Sequence, residues 1–420
     1  MTFIKNGLFI GILISFFVIG IGIVSAETQI IPASMEQGPF TEFRLTTDDA
    51  GTNAQFGRSV AIDGDLVAVG MGGDGAIGSV FLYKRQGMRY VPEAELVYPD
   101  VIPDTCPGDF GNCSEFGRTV AIQGNTVFVG ARFAPVGNLK AGAVYVFRKH
   151  GDVWQYDDKI VSPDPETGDN FGRALAVQGS LLVVTARKSS LEEGAAYVFV
   201  YKGGSWIPQA TLEASDPTPG AYFGQSVDIQ GDVIAIGARN ANPNSAGGFY
   251  LFRKSGDGWM EITKITPSDG QIDDQYGFAI VISGDTIVVG SRRSDLSALK
   301  TNTGAAYVYS LKGESVDLVT KLTASDASKG DEFGQSVAIA GDVIAVGAWK
   351  DDNKQGSLYL FRRTGCQWIE TDRIKASDGT AGDEFGYSLS AFGNRIVTGA
   401  HTADFISMDG GAAYVLSLKP

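Results

Sequence analysis

The sequence EFGQSVAIAG at residues 332–341 is followed by DVIAVGAW at 342–349, GSLYLFRR at 356–363 and WIETDRIKASD at 368–378. These pieces are rich in β-branched and aromatic residues and are bounded by turn residues, which predicts four consecutive β-strands. The second piece is almost continuously apolar, so both of its faces should be covered, whereas the fourth mixes charged and apolar residues. Burial is therefore expected to fall from the second strand to the fourth.

This four-strand unit occurs seven times along the chain. Each copy begins with a Phe-Gly or Tyr-Gly pair, and the first two strands are joined by a two-residue Gly-Asp, Gly-Asn or Gly-Ser turn. Such turns predict tight hairpins, because glycine supplies the positive φ that they need. A tandem repeat of this length indicates a propeller, a solenoid or an array. The pairs are Phe56-Gly57, Phe116-Gly117, Phe171-Gly172, Phe223-Gly224, Tyr276-Gly277, Phe333-Gly334 and Phe385-Gly386.

The two ends of the chain complement each other. The last repeat stops after its third strand, and only Lys419 and Pro420 follow it. Residues 42–49 (EFRLTTDD), which precede the first Phe-Gly, align with the fourth-strand residues 321–326 (KLTASD). We therefore predict an all-β, seven-bladed β-propeller of four-stranded antiparallel blades over residues 41–420, with the last blade completed by the N-terminal strand. Closing the ring in this way removes open sheet edges.

The repeat resembles a known family. Its order of motifs is Phe-Gly, then Gly-Ala-x, then a glycine followed by aromatic and branched residues, as in Phe223-Gly224, Gly237-Ala238-Arg239 and residues 247–252 (GGFYLF). In this the chain resembles FG-GAP repeat proteins and the seven-bladed propeller of integrin α subunits. The resemblance implies adhesion, ligand recognition or, in some members, an enzyme scaffold. It also implies ligand binding on the face that carries the loops before Phe-Gly and after Gly-Ala-x, here called the top face; the Gly-Asp-type turns and the Gly-x-x-Trp turns form the bottom face.

The resemblance does not extend to calcium. Integrin-type repeats carry a calcium-binding loop resembling Asp-x-Asp-x-Asp-Gly between the first two strands of several blades, but all seven of those positions here hold the two-residue turn. Calcium needs six to eight converging oxygens, which such a turn cannot supply. Residues 351–356 (DDNKQG) have oxygen side chains at calcium-loop spacing, but Arg362 stands at the twelfth position in place of Glu, which favours a polar loop. We expect no metal and no cofactor.

The N-terminal segment predicts export. Residues 7–24 are uncharged and apolar, follow Lys5 and end at Val24-Ser25-Ala26, which is typical of a secretory signal cleaved after Ala26. We accordingly divide the chain into a signal peptide at 1–26, a short linker at 27–40 and the propeller. An uncleaved membrane anchor is the alternative, because about 18 apolar residues are the lower limit for a bilayer span. The mature protein is expected to be secreted or displayed on the cell surface, with no membrane span after cleavage.

Charge and cysteine content restrict the partners. The net charge of -14 argues against nucleic acid, which needs clustered Lys and Arg. Cys106 and Cys113 flank a short loop of an exported chain, which predicts a local disulfide. Cys366 falls in a bottom turn, where it is either free or forms an intermolecular link; we favour the free thiol. We expect a monomer.

Charged residues gather on the predicted top face. Acids precede the Phe-Gly pairs, and arginines follow either the second strands or the Phe-Gly pairs themselves. One interpretation is a set of ion pairs between blades, since exposed charges are usually solvated. The other is a binding site for an anionic or sugar-like ligand, because guanidinium groups suit carboxylates. The candidate ligand-binding residues are Arg58, Arg118, Arg173, Arg132, Arg187, Arg239 and Arg292.

The function predicted from the sequence is a secreted or surface-exposed, non-catalytic binding or adhesion module that recognises a protein or glycan through its top loops. The alternative is an extracellular hydrolase or lyase that uses top-face carboxylates and arginines. Only two histidines exist, and His150 and His401 fall on opposite faces, so they cannot share a catalytic site. We assign no catalytic residue.

Overall fold

The computed structural model describes residues 28–30, 40–73, 77–100, 114–187, 192–241 and 245–419. These residues form the seven antiparallel sheets of the blades and one short two-stranded hairpin. Apart from that hairpin, neighbouring strands of a blade are consecutive along the chain, except where the two chain ends meet. The first strand of each blade contacts the first strands of both neighbouring blades, so the blades form a closed ring around a central channel. The predicted all-β, seven-bladed propeller is confirmed.

The strands occupy equivalent positions in every blade. The first strands are Phe56–Asp63, Phe116–Gln123, Leu175–Gln178, Phe223–Gln230, Tyr276–Ser283, Phe333–Ala340 and Leu389–Phe392. The second strands are Leu66–Met71, Thr126–Ala131, Leu181–Ala186, Val233–Ala238, Thr286–Ser291, Val343–Ala348 and Arg395–Ala400. The third strands are Ser79–Gln86, Ala143–His150, Ala195–Lys202, Gly248–Ser255, Ala305–Lys312, Ser357–Thr364 and Ala412–Leu418. The fourth strands are Arg89–Val97, Val153–Ile160, Ser205–Leu212, Gly258–Ile265, Ser315–Leu322, Gln367–Ile374 and, for the seventh blade, Phe40–Leu45.

The seventh blade joins the two ends of the chain. Phe40–Leu45 pairs antiparallel with Ala412–Leu418, so the predicted closure by the N-terminal strand is confirmed. A further strand, Thr28–Ile30, pairs with Phe40–Leu45 and makes this sheet five-stranded. Interpreting residues 27–40 as a linker missed this strand, because it has no counterpart in the repeat. Residues 1–27 lie outside the described part of the chain, so the signal peptide stays a prediction.

Two small elements lie in the top loops. Pro135–Val136 and Leu139–Lys140 form a short hairpin in the second blade. Asp351–Lys354 forms a tight turn in the sixth blade, in which Asp352 and Asn353 have φ values of +48° and +57°. No helix in the described ranges is long and apolar enough to cross a bilayer.

The side chains of neighbouring blades pack into a continuous core. The aromatic ring of each Phe-Gly or Tyr-Gly pair is buried. Phe223, for example, packs against Tyr250 of the third strand, with ring centroids 5.3 Å apart and planes inclined at 67°. The Trp residues of the bottom turns also pack between blades: Trp206 lies 5.3 Å from Phe128 of the preceding blade. Edge-to-face pairs of this kind add to the area that the rings bury.

The bottom turns have the tight geometry that the sequence predicts. The glycine that opens each of the seven turns between first and second strands has a φ between +55° and +63°. Glycine at the first central position is the mark of a type II′ hairpin turn, whose twist matches that of the strands. The acids of the Asp351–Lys354 turn are engaged by bases, since Asp351 and Asp352 both accept from Arg373. The part of the chain that the structure describes contains no cluster of side chains able to hold a metal ion.

Neighbouring blades are joined beside the channel by a repeated contact, here called the blade seam. It consists of the second-strand glycine of one blade, the Phe-Gly glycine of the next blade and a hydroxyl group. A Cβ atom on Gly237 would lie 2.0 Å from the carbonyl oxygen of Gly277, so only glycine fits there. The Ser226 hydroxyl donates a hydrogen bond of 3.0 Å to the same oxygen. The equivalent hydroxyl donors at other seams are Ser59, Thr119, Ser336 and Ser388.

Two blades depart from this pattern in instructive ways. The third blade has Ala174 at the serine position and Thr185 at the glycine position, and the Thr185 hydroxyl donates to the Gly224 carbonyl at 2.8 Å. The lost donor is therefore replaced from the adjacent strand. The fifth blade has Ala279 at the serine position but keeps Gly290, so among the described residues its seam has no hydroxyl donor.

Candidate functional site

The top end of the channel is surrounded by three side-chain positions from each blade, which together are called the channel mouth. The residue before each Phe-Gly pair is, in blade order, Gln55, Glu115, Asn170, Tyr222, Gln275, Glu332 or Glu384. The residue after the pair is Arg58, Arg118, Arg173, Gln225, Phe278, Gln335 or Tyr387. The residue after the second strand is Gly72, Arg132, Arg187, Arg239, Arg292, Trp349 or His401.

A backbone bend repeated in every blade builds the mouth. The residue before Phe-Gly has a φ between +50° and +61° in all seven blades, and the following glycine has a φ between +84° and +92°. A left-handed conformation is uncommon for residues other than glycine and persists only where surrounding structure fixes it. At this bend the Glu115 carboxylate lies 2.6 Å from Arg132, and the side-chain amide oxygen of Gln275 accepts from the Arg292 Nε–H at 2.7 Å. In these two blades the bend thus brings the first of the three ring positions into contact with the third.

Within the described residues, ion pairs are formed by Arg118, Arg132, Arg187 and Arg292. Glu115 lies 2.6 Å from Arg132 and 3.8 Å from Arg118. Arg292 lies 3.6 Å from Glu332, a carboxylate that Lys350 also contacts. These contacts agree with the interpretation that part of the top-face charge joins neighbouring elements of the scaffold.

A fourth ion pair also joins neighbouring elements of the scaffold. Arg187 pairs with Glu192, which lies in the loop between the second and third strands of the same blade. Arg58 donates to Gln55 at 2.7 Å and lies over the ring of Tyr387.

Arg173 and Arg239 are different. Arg173 donates to the amide oxygen of Gln225 at 2.6 Å, and the Arg239 guanidinium lies 4.1 Å from the ring centre of Tyr222. Arg187 contacts the same tyrosine, because it lies 4.8 Å from its ring centre and donates to its hydroxyl at 3.0 Å. Within the described residues, no carboxylate is within ion-pair distance of Arg173 or Arg239. The Nε atoms of both are buried and have no hydrogen-bond partner in that part of the chain.

The pKa of Arg173 reflects the positive charges around it. Burial, followed by the positive charges of Arg239, Arg132, Arg118 and Arg187, lowers the pKa of the Arg173 guanidinium to about 9. Arg173 is therefore still charged at neutral pH, but it is held in an environment that disfavours its charge.

The opposite side of the mouth is aromatic. Tyr387 packs against His401 with ring centroids 3.9 Å apart and planes inclined at 43°, and it makes an edge-to-face contact with Trp349 at 5.6 Å. Burial, and then the charges of Arg58 and two other bases, hold the pKa of His401 well below its usual range, so this imidazole is neutral at neutral pH. The mouth thus has an arginine side in blades two to five and an aromatic side in blades six and seven.

The acids that precede Phe-Gly by two residues support the loops. Asp274 accepts the backbone N–H of Gln271 at 2.8 Å, and Asp331 accepts that of Ser328 at 2.6 Å. Asp169 and Asp383 make the same bond three residues back. Burial raises the pKa of Asp274 and of Asp331 to about 6. These carboxylates hold the loops in place by local hydrogen bonds.

A second recurrent set of acids lies toward the rim of the blades. Tyr250 donates to Asp216 at 2.8 Å, and Asp216 also contacts Lys264 of the adjacent strand. Burial raises the pKa of the Tyr250 hydroxyl. The same arrangement recurs in the next blade with Asp269 as the acceptor. Recurrence in consecutive blades indicates a structural role for these networks.

Comparison with protein-family models identifies the repeat. The FG-GAP repeat model matches seven segments, residues 40–83, 106–147, 154–199, 206–252, 259–309, 316–361 and 368–416. The chain belongs to the FG-GAP repeat family. Its propeller resembles the N-terminal propeller of integrin α subunits, and the comparison with curated proteins finds no relative.

In this FG-GAP protein the sequence repeat is out of phase with the blade. The segment 206–252 begins at the fourth strand of the third blade and ends at the third strand of the fourth. The first segment, 40–83, therefore contains the strand that completes the seventh blade. The ring closure follows from this offset between repeat and blade.

The remaining predicted residues fall outside the mouth. Cys106 and Cys113 lie outside the described residues, so their disulfide stays a prediction. Cys366 is exposed in its bottom turn and forms no disulfide within the described residues. The sequence analysis did not single out Tyr222 or the left-handed residues. The signal was nevertheless present, because a polar or aromatic residue precedes each Phe-Gly pair.

Proposed function

We propose that this FG-GAP protein is a non-catalytic extracellular binding module whose top face recognises a protein or a glycan. The observation that carries the proposal is the exposure of large apolar side chains in the top loops beside the channel mouth. Leu299 is 89% exposed and Ile272 is 78% exposed. Their two loops are joined by the Arg293–Asp273 ion pair, with an N–O distance of 2.7 Å. Apolar side chains that are held exposed beside polar groups are typical of interaction sites.

The two faces of the propeller differ in what they offer a partner. The bottom hairpins are all closed by two-residue turns, whereas the top loops differ in length, charge and apolar content from blade to blade. Ile406 and Met408 are also exposed, in the top loop of the seventh blade. Variable loops on a rigid scaffold are the usual location of recognition residues. Arginine and aromatic residues, which dominate the channel mouth, are also the types that are enriched in binding hot spots.

A non-catalytic role is supported by what the top-face carboxylates do. Asp274 and Asp331 accept backbone hydrogen bonds, and Glu115 and Glu332 pair with bases. A hydrolase or lyase of the carboxylate type needs one acid and one base that both face the substrate. An extracellular location is supported by family membership and by the predicted signal peptide.

Substitution of the exposed apolar residues tests the proposal. We expect the double variant Ile272→Asp with Leu299→Asp to lose at least tenfold in affinity for ligands found by a glycan array and by binding to purified cell-surface proteins. The control is Met260→Asp, which places the same charge on an exposed apolar position in the outer strand of the fourth blade. Equal binding by wild type and the double variant would contradict top-face recognition. Turnover of polysaccharide substrates that is lost in the double variant would favour the enzyme.

A further inference from the structure

The arginine side of the channel mouth carries more positive charge than its neighbours neutralise. Glu115 serves both Arg118 and Arg132, and Glu332 serves both Arg292 and Lys350. The uncharged partners of Arg173 and Arg239, described above, leave both cations without a neutralising carboxylate in the described part of the chain. In a protein of net charge -14, this local excess of cations is the reverse of the overall balance.

We propose that the arginine side of the channel mouth, centred on Arg173 and Arg239, binds an oxyanion group such as a carboxylate, sulfate or phosphate. The group enters the channel from the top face and lies between the third and fourth blades. Arg132 and Arg187 border the site. This inference deepens the proposed function and rests on it only in placing the ligand on the top face.

The physical reason is the cost of gathering unpaired cations. A charged group that is removed from water without a partner is destabilising, and the cost is relieved when an opposite charge arrives. Charge-assisted hydrogen bonds from guanidinium groups to oxyanions are about twice as strong as neutral ones. The Nε atoms of Arg173 and Arg239 have no hydrogen-bond partner in the described part of the chain, so neither guanidinium group has used all of its donors.

The scaffold also holds these arginines in place. Tyr222 lies between Arg187 and Arg239, at 4.8 and 4.1 Å from the two guanidinium groups, and its own backbone is fixed in the left-handed conformation at φ +56°. Gln225 of the next blade also holds Arg173 in place, because its amide oxygen accepts a hydrogen bond from a terminal nitrogen of the Arg173 guanidinium. Groups that are fixed before binding lose little entropy when the ligand arrives, which strengthens binding.

The oxyanion has two possible sources. It is either a free multivalent anion or an anionic group carried on a saccharide. Citrate and inorganic sulfate represent the first source, and a heparin-derived tetrasaccharide represents the second. Titration calorimetry and thermal unfolding of the purified protein, with sodium chloride at equal ionic strength as the reference, measure binding of each probe. A ligand that binds only the native state raises the unfolding temperature.

We expect at least one of these probes to bind wild type and Arg239→Gln to weaken that binding at least tenfold. Arg173→Gln should have a similar effect, and Arg239→Lys should retain part of the affinity because it keeps the charge. The matched control is Arg148→Gln, which removes the same charge from a site paired with Asp157 on the third strand of the second blade. Its binding should equal that of wild type.

Several outcomes decide between the alternatives. Binding of citrate or sulfate identifies a free anion as sufficient, whereas binding of the tetrasaccharide alone identifies a carried group. The proposal is overturned if no probe binds, or if Arg148→Gln weakens binding as much as Arg239→Gln. If Arg173→Gln does not fold, Arg239→Gln still decides, because it removes only a ring contact. These measurements need no macromolecular ligand, so they can fail while the Ile272 and Leu299 experiment succeeds, and the reverse also holds.

Discussion

The blade seam and the channel mouth lie one residue apart on the same strand, yet they obey different rules. In the first blade, the Gly57 carbonyl accepts the Ser388 hydroxyl at 2.9 Å, and the Ser59 hydroxyl donates to Gly117 at 2.8 Å. Arg58, between them, belongs to the mouth and lies over the ring of Tyr387. Around the ring, the seam changes little from blade to blade, while the mouth position changes from arginine to glutamine, phenylalanine or tyrosine.

The difference shows how a repeat can combine a constant scaffold with a variable surface. Seam positions are restricted because the backbone of the next blade occupies the space that a side chain would take. Mouth positions face a partly open ring, where charge and hydrogen bonding decide which residue is favourable. Because successive side chains of a strand point to opposite sides, the two sets can vary independently. We therefore expect seam substitutions to change stability and mouth substitutions to change binding.

The largest effect is expected for Gly237→Ala at the seam. The new Cβ would lie 2.0 Å from the Gly277 carbonyl oxygen, so the two blades must separate. Overpacking of this kind costs about 3 kcal/mol of unfolding free energy. Urea unfolding of the variant measures the loss, and Gly51→Ala is the control, because a Cβ there meets no atom within 4 Å. A loss as small in Gly237→Ala as in Gly51→Ala would show that the seam is not tightly packed.

A smaller effect is expected from the seam hydroxyls. Ser336 is buried and donates to the Gly386 carbonyl at 2.6 Å, so Ser336→Ala should lower the unfolding free energy by about 1 to 2 kcal/mol. The fifth blade allows the reverse experiment. Ala279→Ser should supply the donor that this seam lacks and raise the unfolding free energy by about 0.5 to 1 kcal/mol. The two substitutions should change the unfolding free energy in opposite directions. A decrease in both variants would contradict the role assigned to the hydroxyl.

The smallest effect is expected from pH and concerns the loops of the mouth. Because burial raises the pKa of Asp274 and Asp331 to about 6, the native state holds their protons more tightly than the unfolded chain does. The stabilisation of the native state that depends on these protonated carboxyls is complete below 3.8, the pKa of the two groups in the unfolded chain. It is lost as the pH rises through about 6. The unfolding free energy should therefore increase as the pH falls from 7 to 5.

The acids of the outer networks set the pH below which the unfolding free energy stops increasing. Burial alone raises the pKa of Asp269, but its bonds to Lys321 and Tyr307 hold that pKa below the usual value, so its stabilisation is lost below about pH 4. Urea unfolding at pH 5, 6 and 7 measures the trend. Asp331→Asn should reduce the slope between pH 5 and 7, while Ser336→Ala should lower the whole curve without changing its slope. An unchanged slope in Asp331→Asn would rule out its part in the pH dependence.

Much of the fold could be predicted because its causes are local. Glycine in a type II′ turn, a run of apolar residues covered on both sides and an unpaired last repeat each leave a pattern in the sequence. The extra strand Thr28–Ile30 could not be predicted, because it has no repeat counterpart and depends on the free edge of Phe40–Leu45. The mouth was predicted only in part. The sequence identified its seven arginines, but their partners come from neighbouring blades and loops.

The sequence by itself determined the number of blades, the class of the bottom turns, the closure of the ring and the residue types available on the top face. Only the tertiary structure decided which charges are neutralised. Arg132 and Arg239 occupy the same position of the repeat, yet one meets Glu115 and the other meets the ring of Tyr222. Hairpins and strands depend on residues a few positions apart, whereas ion pairing depends on atoms within about 4 Å, whichever part of the chain supplies them.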